Sequence, residues 1–163
     1  MSAKNILIFG NSGSGKSTLA QQLCAQYDLA HLDLDVIAWK PGLPPERMPL
    51  AESGALIDRF VAEHAGWVIE GCYADLLEML LGRCNELIFL DLPVVMCIEN
   101  ARKRPWEPHK YESKAAQDAN LEMLIQWIAQ YPERSDTFSR AAHRALFERF
   151  DGNKTLLDHN QPA

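Results

Sequence analysis

The sequence predicts an α/β fold with three layers, a parallel sheet covered by helices on both faces. Two observations carry this. Short apolar runs alternate with stretches of helical periodicity, the pattern of strand–helix–strand units. Those runs are also apolar throughout, as strands buried on both sides must be. A third observation bears on function. Ligands of such sheets gather beyond the carboxyl ends of the strands, and this chain places its glycines and acids there.

"NILIF" at 5–9 reads as a buried strand stopped by glycine, and residues 16–27 as a helix with Leu19, Ala20, Leu23, Cys24 and Tyr27 on one stripe. "LAHLDLD" at 29–35 is a second strand. "KPGLPPERMP" at 40–49 reads as a loop, since its prolines and glycine exclude regular structure. Ile57, Phe60, Val61 and His64 mark a helix from about Leu50 to His64. "WVIE" at 67–70 and "ELIFLD" at 86–91 are further strands, each followed by a short helix near 74–81 and 93–103. Leu121, Leu124, Ile125 and Ile128 mark one more helix, and Phe138, Ala142, Ala145 and Leu146 the last, ending near Phe150. "NKTLL" at 153–157 closes as a fifth strand after the turn "DGN".

The 163 residues suit one domain over 1–163, without repeats or linkers. A net charge of −6, spread without blocks, lacks the basic footprint of a general nucleic-acid binder. The opening residues hold too short an apolar run for a signal peptide or a membrane span, as does the rest of the chain. A cytoplasmic protein with no membrane partner is therefore expected. Cys24, Cys72, Cys84 and Cys97 form no C-x-x-C pair, so reduced thiols are expected rather than zinc or disulfides.

"GNSGSGKS", from Gly10 to Ser17, fits G-x-x-x-x-G-K-[ST], the phosphate-binding loop. The spacing has a physical reason. Gly10, Gly13 and Gly15 let the chain curl so that the N–H groups of Asn11, Ser12, Ser14 and their neighbours turn inward on phosphate oxygens. The following helix adds its free N–H groups and the positive end of its dipole. Lys16 is placed to bridge the β- and γ-phosphates, the Ser17 hydroxyl to ligate Mg²⁺, and Thr18 to add a contact to the α-phosphate. A flexible turn matching by chance is on the order of one in a hundred in this length. The preceding strand and following helix lower those odds, and a nucleoside triphosphate such as ATP is the expected ligand.

Acids stand at the neighbouring strand ends. Asp33 and Asp35 lie two apart, so an extended segment projects both to one side. They are suited to hold Mg²⁺ through water and to orient an acceptor hydroxyl, or to form turns and helix caps. The place beside the phosphate loop favours the first. Glu70 and Asp91 each end an apolar strand; Glu70, followed by Gly71, ranks first for the metal, whereas Asp91 precedes a helix that it is suited to cap. Trp39 and Tyr73, also at strand ends, are open to both packing and substrate stacking.

"ARKRPWEPHKYESK" at 101–114 concentrates Arg102, Lys103, Arg104, Lys110 and Lys114, broken by Pro105 and Pro108, and Arg134 and Arg140 follow. Such runs are often plain solvated faces. Phosphoryl transfer needs positive charge on the moving group and exclusion of water, which a basic flap supplies.

Taken together, "GNSGSGKS", "HLDLDVIAWKPG", "WVIEGCY", "LIFLDLP", "RKR" and "YPER" resemble the adenylate-kinase-like P-loop kinases, above all a group labelled DNA topology modulation proteins, over Ile6 to about Leu157. The pattern is also similar to that of shikimate kinases. The resemblance implies a P-loop NTPase fold with a five-stranded parallel sheet in the order 2-3-1-4-5, and a short helical lid at about 104–133 closing over ATP. It implies that Glu70 stands beside Mg²⁺, with Asp33 near the metal and Asp35 on the acceptor hydroxyl. Arg102 and Arg104 correspond to lid-base arginines contacting nucleotide and transferring phosphate, with Asn100 where relatives carry another arginine. Arg134 corresponds to the arginine returning from the lid, and residues 158–160 to an adenine-contacting loop. "EGCYA" departs from the pattern: Ala74 replaces the arginine that grips AMP in adenylate kinases, which argues against AMP as acceptor.

The sequence therefore points to a kinase: a Mg²⁺-dependent ATP phosphotransferase using Lys16, Asp33, Asp35, Arg104 and Arg134, with a small-molecule acceptor bordered by Asp35, Trp39, Gly71 and Tyr73. A nucleotide-dependent switch or slow ATPase acting through a partner uses the same loop, and a DNA-topology-related regulator would use the basic cluster. The acceptor, the choice of ATP over GTP, and monomer or dimer stay open.

Overall fold

The computed structural model describes residues 3–42 and 44–160. Five strands, β1 (Asn5–Gly10), β2 (Ala30–Asp33), β3 (Trp67–Gly71), β4 (Glu86–Leu90) and β5 (Asn153–Leu157), form one all-parallel sheet in the order β2-β3-β1-β4-β5. This is the predicted order. The helices are α1 (Lys16–Tyr27), α2 (Leu50–Glu63), α3 (Ala74–Glu78), α4 (Val94–Lys103), α5 (Lys114–Ala129) and α6 (Arg140–Arg149).

Alternation along β1 builds the layers. Ile6 and Ile8 point into one core with Ala20 of α1, Cys97 and Ala101 of α4, and Ile128 of α5. Leu7 and Phe9 point into the other, with Ile57 of α2, Leu76 and Leu77 of α3, and Leu146 of α6. All four β1 side chains are buried. At ~1.5–3 kcal/mol for each fully buried large apolar side chain, the central strand is a firm base for the loop it launches.

Local chemistry sets the helix starts. Ser113 and Ser139 accept hydrogen bonds from Ala116 N and Ala142 N at 3.1 and 3.0 Å, capping α5 and α6.

Three local expectations change. The second strand ends at Asp33 and turns at once into a 3₁₀ turn over Leu34–Val36, because the Asp33 carboxylate accepts from Asp35 N at 2.9 Å. The 40–49 segment, of which Leu43 lies outside the described residues, carries an antiparallel bridge between Trp39 and Arg47. Lys40 N donates to Glu46 O and Met48 N to Ala38 O, both at 2.8 Å, so this proline-rich loop is folded back on itself. Asp91 does not cap α4, whose N-terminal flank is Pro93; its carboxylate is taken by Arg140 through two bonds of 2.8 and 2.7 Å. None of the described helices is long and apolar enough to cross a membrane.

Candidate functional site

The parallel sheet brings the carboxyl ends of β1, β2 and β3 together. Asp33 pairs in register with Glu70, and Phe9, before the loop, with Gly71. Residues 10–15 curl from β1 into α1, with Ser14 N donating to Asn11 O at 3.2 Å. The curl needs its glycines. Gly13 has φ +79, and a Cβ there would run into the Cys97 carbonyl; Gly15, at φ +92, caps α1 and faces open space. Buried Asn11 anchors the loop by donating to Ile128 O at 3.2 Å, and Asn100 Nδ2 donates to Gly13 O at 2.8 Å. Asn100 thus braces the loop and also bonds Asn160 at 2.7 Å, tying the 158–160 segment to it.

A hydrogen-bonded row follows. Lys16 Nζ donates to Asn11 O at 2.7 Å, folded over its own loop. The Ser17 hydroxyl donates to Glu70 Oε2 at 2.7 Å, and His31 Nε2 donates to the same oxygen at 2.9 Å. Glu70 is only 2% exposed, so both contacts hold a buried carboxylate. The Glu70 hydrogen bond raises the His31 pKa, against the lowering effect of burial.

The two aspartates are distinct. Burial, together with the charges of Glu70 and Asp35, raises Asp33. Burial alone would raise Asp35 too, but the Lys110 charge and the Tyr73 hydroxyl outweigh it and bring Asp35 below its ordinary value. Tyr73 donates to Asp35 Oδ1 at 2.5 Å and accepts from Trp39 Nε1 at 2.8 Å. Lys110 Nζ donates to Asp35 Oδ2 at 2.9 Å and lies 3.6 Å from Asp33 Oδ2. Burial pushes the neighbouring Cys72 thiol up to about 12, so it is an inert neutral wall.

These groups face a cavity of about 640 Å³. Ser12 to Thr18, Asp33, Asp35, Glu70, Gly71 and Arg104 line it together, as do Lys103 and Lys110. Gly10 and Asn11 stand behind the loop, and Trp39 and Tyr73 stand behind Asp35 rather than on the wall. A Cβ at Gly71 would fall 2.8 Å from Leu34 Cβ, so this glycine admits the 3₁₀ turn against β3. Arg102 and Arg134 are not brought to the cavity. Arg134 lies 3.3 Å over the Trp127 ring and donates to Trp127 O and Asp136.

Lys103, Lys110 and His31 join the site without being among the residues that the sequence assigns to it. His31 had a signal: it precedes Asp33 by two in a strand, hence shares its face. Lys110 had only its place in the basic run.

The donor set suits a magnesium-bound triphosphate. Ser17, Glu70 and Asp33 offer hard oxygens, and the buried Ser14 hydroxyl oxygen lacks a hydrogen-bond partner. No group of three or more metal-ligating side chains forms a cage among the described residues.

Comparison with known proteins places the chain in a family and a fold. The family described as AAA domain, AAA_18, matches residues 6–121. An uncharacterized protein of Bacillus subtilis (strain 168), YqaC, is 26% identical over 143 residues, covering 86% of this chain and 80% of that protein. Shikimate kinase from Acinetobacter baumannii in complex with shikimate superposes with a TM-score of 0.57 at 17% identity, over 99% of this chain and 86% of the other. A gluconokinase from Sinorhizobium meliloti 1021 does so at 0.57 and 16%, over 98% and 84%. At such identities the likeness is one of fold, that of the P-loop kinases.

Proposed function

The chain belongs to the AAA domain family AAA_18, and on that premise we propose that it is a cytoplasmic, Mg²⁺-dependent ATP phosphotransferase acting on a small hydroxyl-bearing acceptor. One observation carries the reading: Ser17 at the phosphate loop bonds Glu70, while Asp33 and Asp35 converge on the same cavity from the next strand end. A loop that only switches a partner has no use for a second group of acids facing its phosphates.

Lys16 and the loop N–H groups hold the β- and γ-phosphates. Ser17, Glu70 and Asp33 would hold the metal, which when bound would neutralise charge on the transferring group. Asp35, fixed by Tyr73, orients the acceptor hydroxyl and takes its proton. Arg104 supplies positive charge from the lid side. Arg102, on α4, and Arg134, held over Trp127, take no part in this arrangement. Two cations of the basic cluster are committed to this site, Arg104 pairing with Glu107 at 3.3 Å and Lys110 with Asp35 at 2.9 Å.

The test is a metabolite panel assayed for acceptor-stimulated ADP release with Mg·ATP. A hydroxylated acceptor returning a phosphate ester supports the proposal. Phosphate release that no acceptor stimulates, modulated by a partner protein, supports the ATPase or switch instead.

A further inference from the structure

Lys110 sits on the turn after Pro108, 75 residues from Asp35 in sequence, yet its ammonium is seated in the acceptor end of the cavity. Nζ is 2.9 Å from Asp35 Oδ2, 3.6 Å from Asp33 Oδ2 and 3.6 Å from Glu107 Oε2. The turn that carries it is held on both sides. Lys110 N donates to Glu107 O at 3.0 Å, Glu107 N donates to Gln117 Oε1 at 2.8 Å, and Gln117 Nε2 donates to Pro105 O at 3.0 Å. The ammonium is therefore aimed by α5 and the proline turn.

The consequence falls on Asp35. Its Oδ1 accepts from Tyr73, whose position is fixed by Trp39 behind it, and its Oδ2 accepts from Lys110. The Tyr73 contact comes from the buried side, behind Asp35. The Lys110 contact, coming from the lid side, is the one an incoming molecule can displace.

We propose that Lys110 is a specificity-determining residue that makes this site discriminate between its acceptor and water, by holding Asp35 until an acceptor hydroxyl displaces the ammonium. The inference rests on the phosphotransferase reading. In transfer, the acceptor oxygen bonds to the γ-phosphorus as the bond to the bridging oxygen of ADP breaks. The hydroxyl proton passes to Asp35 Oδ2 and thence to solvent, and ADP leaves with the electron pair. While Lys110 occupies Oδ2, that oxygen neither orients a water molecule nor takes its proton. A single water lacks the contacts to displace a charge-assisted bond, whereas an acceptor anchored elsewhere in the cavity can do so. The latch is an ammonium held within 3.6 Å of three carboxylates, those of Asp35, Asp33 and Glu107.

Two measurements on the full chain test this. The first compares acceptor-free phosphate release from Mg·ATP in wild type, Lys110→Met and Lys110→Arg. Lys110→Met should raise it about tenfold, and Lys110→Arg, which keeps the charge, should restore the low rate. Unchanged or lower release from a Lys110→Met protein that binds ATP normally overturns the proposal. The second uses sulfo-N-hydroxysuccinimide acetate without nucleotide, with the more exposed Lys114 as reference (67% exposed against 24% for Lys110). Lys110 should label slowly in wild type and approach Lys114 in a folded Asp35→Asn variant. Equal protection in both overturns the latch. This second arm needs no nucleotide, so its failure is distinct from loss of Mg·ATP affinity, which would remove the phosphotransferase reading itself.

Discussion

Replacing Tyr73 by Phe removes one oxygen and tests the support behind Asp35. The ring is 3% exposed and its space stays filled, so no cavity opens. What is lost is the 2.5 Å bond to Asp35 and the 2.8 Å bond from Trp39 Nε1. A hydrogen bond to a charged group contributes about 1.5–3 kcal/mol, but the Asp35 side chain is 39% exposed and Trp39 is also half-exposed, so water replaces part of both. About 1–2 kcal/mol of destabilisation is expected at neutral pH, a Tm drop of roughly 3–6 °C for a chain of this size. The sign with pH follows from Asp35, whose folded-state pKa lies below its ordinary 3.8. Its contribution is present above that value and lost as pH falls through the folded one, so the deficit of Tyr73→Phe should shrink in acid. Urea melts at pH 7 and below pH 4 read this. In kinetics the variant should lose acceptor kcat/KM with unchanged ATP affinity. A stability change under about 0.5 kcal/mol with full acceptor kinetics would refute the role given to Tyr73.

Two further perturbations concern the frame around the site. Arg140→Met strips the paired cation from Asp91, which is 9% exposed; since Arg140 is itself partly wet, about 2–3 kcal/mol of stability should go, and Asp91→Asn in the same chain should recover part of it by chemical denaturation. His143 is buried, accepting from the Tyr131 hydroxyl and donating to Cys72 O; burial pushes its pKa from 6.5 down to about 4. The unfolded chain binds that proton more readily, so stability should fall by roughly 3 kcal/mol as pH drops from about 6.5 to 4. His143→Gln should flatten that acid limb in thermal melts.

The phosphate loop was legible because its requirements are local: glycines where the chain must curl, and a lysine and a hydroxyl one turn into the helix that follows. The sheet was legible because buried parallel strands write themselves as apolar runs, although their order came from resemblance rather than periodicity. The acids were found for a partly mistaken reason. Asp33 and Asp35 both face the cavity, but through a 3₁₀ turn that Asp33 itself caps, so the turn-forming and site-lining readings hold at once. Pairings across the fold left no trace in local pattern. Lys110 meets Asp35 over 75 residues, and Arg140 meets Asp91 over 49. Arg134 shows the converse, a cation in a familiar motif that here lies on Trp127.

In the proposed enzyme residues 10–17 hold the triphosphate of a nucleotide together with magnesium, and Lys16, folded over the loop, is its main side-chain contact. Calorimetric titration of the full chain with ATP, with and without Mg²⁺, tests it most directly. Saturable binding that strengthens with Mg²⁺ and is largely lost in Lys16→Ala is the expected result. Equal heats with and without the metal, or undiminished binding by a folded Lys16→Ala chain, would contradict the account.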